Sequence, residues 1–250
     1  MTIWLAGDVS MFGTYHWIAL SMFAFFAGID LLFRARNFPD VPLWRTRGIV
    51  FTLLYFGVTT WSPLLWDDLL GQYQLVDGSV WPFWAQLVVG FLVYEFLIYA
   101  WHRTMHNVQP IWRWLHQMHH SAERVDIWGA FYFHPFDMIG WALVGSAALV
   151  LGIGLTAEAA LIVSVAATFC AIFQHSNLRT PRWLGYVITR PESHAVHHER
   201  GLHAYNYGDI PIFDILFGTF RNPREWHGEA GFFDGSSRQL GKMLAGREIA

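Results

Sequence analysis

Five stretches of this chain are too apolar for an ordinary water-soluble fold. Crossing a hydrocarbon core of about 30 Å takes about 20 helical residues. Residues 15–33, 49–66 and 81–101 each approach that length with at most one charged side chain. Residues 138–155 and 159–173 are shorter and are joined by the tight turn GIGLTAE. That pattern predicts a hairpin that either spans thinly or only penetrates, and in both cases the chain returns to the side it left. The composition agrees, with 54% apolar and 14% charged residues, where a soluble domain has about a quarter charged. The expected fold is an all-α integral membrane protein. It has four to five transmembrane helices in one domain, with a cytoplasmic helical cap and a short tail over residues 228–250.

The positive charges give the orientation. Fifteen of the sixteen are Arg, and none precedes Arg34. Arg34, Arg36, Arg45 and Arg47 fill the first loop, whereas residues 67–79 hold three Asp and no Lys or Arg. Cytoplasmic loops carry the excess of Lys and Arg. The N-terminus is therefore expected outside and retained, since it lacks a basic n-region. Residues 102–135 and everything after residue 175 are expected inside, consistent with a bacterial inner membrane. A net charge of −3 argues against nucleic acid as a partner, and the single Cys170 excludes a disulfide framework.

Thirteen His are present, and most of them cluster. WHRTMH sets His102 and His106 four apart as the third apolar run ends. WLHQMHHS carries His116, His119 and His120, and PESHAVHHE repeats that spacing at His194, His197 and His198. On a helix, positions three and four apart share a face. His134 and His175 stand at the cytoplasmic ends of apolar runs. So many imidazoles at one depth would repel if charged and go unsatisfied if dry. A bound cation removes both problems. There are too many for one zinc, HExxH is absent, and so is the Glu-x-x-His of soluble di-iron bundles. A two-metal centre with an almost all-His shell remains.

HxxxH, then HxxHH, then a distant HxxHH followed by HAYNYGDIPIFDILFGTFRNP, resembles the membrane fatty acid hydroxylase and sterol desaturase superfamily over roughly residues 95–223. The resemblance implies a non-haem di-iron enzyme carrying out O2-dependent C–H oxidation of a lipid, by hydroxylation or desaturation. It implies two Fe, with zinc able to occupy the site as purified. By position, His102 and His106 form the first box, His116, His119 and His120 the second, and His194, His197 and His198 the third. His134 and His175 fall where supplementary ligands occur, and His203 is a further candidate.

Neutral imidazoles leave the charge of two divalent ions uncompensated, so carboxylates are expected near them. Glu95 lies two helical turns before His102 inside an apolar run, a depth at which a carboxylate is a functional candidate. Asp214, Glu192, Asn206 and Tyr207 are further candidates around the boxes, and Asp214 could instead pair with Arg221. The lipid is expected to enter from the bilayer, past side chains such as Trp128, Phe131 and Phe133. No GxGxxG, CxxCH or set of cysteines is present to carry electrons. A separate redox partner of reductase, ferredoxin or cytochrome type is therefore expected on the cytoplasmic face, where Arg179, Arg182, Arg190 and Arg200 gather. The main alternative is a His-rich membrane metal transporter or store. A zinc hydrolase is a third reading.

Overall fold

A computed structural model describes residues 9–249, so residues 1–8, read above as a retained N-terminus, lie outside the described residues. Five long helices dominate: α1 (Val9–Leu32), α2 (Trp44–Trp61), α3 (Phe83–Asn107), α4 (Pro135–Ser146) and α5 (Ala157–Gln174). A π-helical stretch, Ala147–Gly152, continues α4. Each of the five is long and apolar enough to cross a membrane. Among the described residues there is no strand, only an isolated bridge between Glu199 and Ala230. The fold is that of an all-α integral membrane protein. Helices suit such a setting because every backbone polar group is satisfied within the segment.

The last two spans form the expected hairpin, and each covers 18 residues, about 27 Å of helix. Thr156 caps the start of α5 by accepting from the Ala159 N–H. Its own N–H and hydroxyl both go to Gln86 Oε1, at 3.1 and 2.8 Å. That Gln also donates to the carbonyls of Ser79 and Trp81, so one buried amide ties the loops before α3 to the start of α5. Helix α5 packs against α3 and α1, and α2 packs against α4. Gly48 lets α2 approach the 127–129 turn closely, because a Cβ there would sit 2.5 Å from the Trp128 carbonyl oxygen. Trp128 itself lies in this core, donating to Asp30 Oδ2 at 3.1 Å, and lines neither of the cavities beside the His boxes.

A cap of short helices covers the ends of α3 and α5. It includes Gln117–His120, Pro191–His197, Ile212–Leu216 and Leu240–Leu244. Residues 228–249 are an integral part of it. Ser236 and Ser237 are fully buried, the Ser236 hydroxyl donates to the Ser121 carbonyl, and Gln117 bonds the backbone of Arg247 and Ile249. The expected cationic surface is also thinner than it reads. Arg190 is fully buried, donating to the Thr180 carbonyl at 2.9 Å and to that of Pro223.

Candidate metal centre

Nine His converge into two groups at the cap end of α3 and α5. His102, His106, His116, His120 and His197 form one, and His119, His175, His194 and His198 the other; within each group one ligand atom per residue lies within 4.8 Å of the rest. Helical geometry explains the sorting. In the second box His116 and His120, four apart, turn to the first group while His119 turns to the second. In the third box His194 and His198 turn to the second group while His197 turns to the first. A π-turn over Trp112–His116 leads into the second box, a local feature frequent at functional sites.

The outer nitrogens decide what the inner ones can be. His102 Nδ1 lies 2.7 Å from the Tyr207 carbonyl, His106 Nδ1 2.8 Å from that of His203, and His197 Nδ1 2.7 Å from that of Tyr205. His175 Nδ1 reaches the Ala171 carbonyl at 2.8 Å. A carbonyl only accepts, so each of these Nδ1 atoms carries the hydrogen and each Nε2 is a bare lone pair. His116 is set in the same way by Asp137 Oδ2 at 2.7 Å. Yet His102 Nε2 and His116 Nε2 face each other at 3.0 Å. In the second group Nε2 contacts of 3.1, 3.0 and 3.0 Å link His119 to His175, His175 to His194, and His194 to His198.

Opposed lone pairs repel unless a cation stands between them. Nitrogens bound at about 2.0–2.1 Å to one ion lie about 2.9–3.4 Å apart at octahedral or tetrahedral angles, which matches these contacts. His106, His120 and His197 each leave a buried Nε2 with no hydrogen-bond partner among the described residues. Burial, reinforced by neighbouring rings, holds His119, His120, His194, His197 and His198 well below the ordinary imidazole range. It lowers His116 to about 3 and His175 to about 4. These rings are neutral, and the donor set fits two imidazole-binding ions.

The remaining candidates take other places. His134 joins neither group; it caps α4, its Nδ1 accepting from the Phe136 N–H at 3.1 Å. His203 touches His120, Nδ1 to Nδ1 at 3.1 Å, and lies outside both groups. Asp214 accepts from the N–H groups of Tyr207 and Gly208 and from the Thr219 hydroxyl, so it braces the loop that orients His102. Arg221 does not pair with it; the guanidinium lies 4.1 Å over the Tyr205 ring. Asn206 bridges the Ser193 carbonyl and the Arg221 N–H. Glu95 is fully buried and accepts from the Ile210 N–H at 3.3 Å. Glu192 holds Thr180 and Arg36.

Sequence reasoning overlooks Asp137, which stands behind His116 at 2.7 Å. Its signal is the HPFD run at the head of a span, where an acid in the first turn reads as an ordinary dipole partner. The loop 203–207 also carries unrecognised weight: His203, Tyr205 and Asn206 all have positive φ, at 43, 71 and 47°, a conformation that costs a non-glycine residue. Its carbonyls accept from three of the nine imidazoles. On the membrane side a cavity of about 60 Å³ reaches His102, His119, His175 and His194, walled by Phe131 and Phe133.

A model of the fatty acid hydroxylase family matches residues 87–219, more than half of the chain. The chain belongs to the fatty acid hydroxylase family. Its relatives include the ornithine lipid hydroxylase OlsE of Rhizobium tropici, 32% identical over 57% of this chain and 44% of that protein. A Delta(7)-sterol-C5(6)-desaturase of Nicotiana tabacum is 31% identical over 62% of this chain and 61% of its own length. A cholesterol 25-hydroxylase-like protein of Caenorhabditis elegans is 26% identical over 50% and 44%. The chain thus spans about half the length of these relatives. No solved structure gives a significant match.

Proposed function

We propose that this member of the family is a di-iron oxidoreductase that hydroxylates or desaturates a membrane lipid with O2 and electrons from a separate donor. The opposed Nε2 lone pairs of His102 and His116 at 3.0 Å carry this reading, because a cation between them relieves the repulsion in a neutral, buried cage of imidazoles. The five-His and four-His groups would hold two iron ions, which would supply the capacity to reduce dioxygen and oxidise an unactivated C–H bond.

The chain's own residues do the rest. Asp137 and the Tyr207, His203, Tyr205 and Ala171 carbonyls keep the imidazoles in the ligating tautomer and orientation. Phe131 and Phe133 wall the adjoining cavity and exclude water, with the Phe133 ring 4.4 Å from that of His119. Asp214 and Asn206 hold the carbonyl-bearing loop. A lipid entering between the spans brings one carbon to the cavity, so that positioning replaces random encounter. The positive-inside pattern supports a cytoplasmic cap, where a reductase, ferredoxin or cytochrome would dock. A transporter would need ligands at mid-span, whereas these nine His gather at one end of the helices.

Metal analysis of the detergent-purified protein tests this. Two metals per chain, with oxygen consumption requiring both reductant and lipid, is the expected result. One tightly held zinc with no oxygen chemistry overturns it.

A further inference from the structure

The cavity beside the His groups adjoins a second, of about 130 Å³, that reaches Pro63, Leu64 and Ala157 at the opposite end of the spans. Along α5 its wall follows one face: Ala157, Leu161, Ser164 and Thr168, then Ala171 and His175 in the first cavity. Tyr55, Tyr94, Trp141 and Thr168 line both cavities and form the neck between them. Trp141 Nε1 is buried with no hydrogen-bond partner. Its ring lies 5.7 Å from that of His102. The Tyr94 hydroxyl comes within 3.8 Å of the Cβ position of Gly145, another lining residue. Thr168 is already engaged by Tyr15 at 3.0 Å, but among the described residues the Tyr55 and Tyr94 hydroxyls make no hydrogen bond.

Two hydroxyls without a partner among the described residues, those of Tyr55 and Tyr94, therefore line one constriction at membrane depth, where an open donor is costly. Resting on the oxidoreductase reading for the site itself, we propose that this neck clasps a neutral acceptor oxygen (ester, amide or hydroxyl) of the lipid substrate. That oxygen lies on the membrane side of the carbon presented to the metals. Tyr94 precedes His102 by eight residues on α3, about 12 Å of helix, which sets the span from clasp to centre. The oxygen is neutral because no Lys or Arg lines either cavity, and Asp67 and Asp209 stand in the walls. A carboxylate there would be a buried, uncompensated charge.

The test uses the metal-loaded protein in nanodiscs under nitrogen, with oxygen consumption assayed separately, and three probes of equal chain length: a methyl ester, the alkane and the free carboxylate. Binding is read by displacement of a spin-labelled alkyl chain, and a 13C-labelled ester carbonyl is followed by infrared spectroscopy. The ester should bind roughly tenfold more tightly than the alkane, with a lowered carbonyl frequency. Tyr55→Phe with Tyr94→Phe should abolish both the preference and the shift while leaving alkane binding unchanged, which also reports that the variant folds. Equal binding of ester and alkane, as when water satisfies the donors, overturns the proposal, and so does tightest binding of the carboxylate. An intact ester preference in a protein that never consumes oxygen would instead sink the enzymatic reading and leave the clasp standing.

Discussion

A single hydrogen separates a ligand from an ordinary buried His. At His102, His116 and His175 the partner of Nδ1 assigns that hydrogen, and the lone pair is left inside. Asp137→Asn keeps the shape but removes the carboxylate behind His116. Metal affinity of the first group should fall about 10–100-fold, measured by competition with a chelator, while helical content stays constant. His119→Ala should remove metal from the second group. His134→Ala should keep full metal content and cost about 1 kcal/mol as a lost helix cap, seen as a lower unfolding midpoint. The cluster spacing made the convergence of these His legible, since positions four apart share a face and each such pair falls in one group. Asp137 was not legible, because nothing local distinguishes it from a carboxylate at any helix start. The carbonyls of His203, Tyr205 and Tyr207 have no side-chain signature at all.

At the scale of elements, the apolar runs were readable because lipid forces the backbone into helices, and length and hydropathy then suffice. The cap was less readable. Its tail looks polar and loose in sequence, yet Ser236 and Ser237 are buried beneath the second box, because short side chains fit where backbone carbonyls need donors. The π-turn before His116 was equally hidden, since one residue of extra winding leaves no compositional trace. Deleting Leu115 should restore regular winding and rotate the preceding segment by about 100° relative to the box. Metal bound per chain should then drop, read by elemental analysis, with the five apolar helices still inserted in the membrane.

Across the whole molecule, the imidazole cage links stability to pH. His116, His175 and His203 are depressed to about 3, 4 and 4, so the folded form binds fewer protons than the unfolded chain below about pH 6.5. Stability of the metal-free protein should be fully present above that pH and decline as acid is added. Unfolding midpoints measured between pH 8 and pH 5 check the sign, and a flat profile contradicts it. Added metal should extend the stable range, because a bound ion competes with protons for the same lone pairs.

One turn of helix in the second box, and one in the third, each hand nitrogens to both groups. The two groups are thus mechanically interlocked: a cation seated in either would hold the rotamers that the other requires. Uptake during a titration should proceed all-or-none, with half-loaded molecules scarce at any intermediate dose.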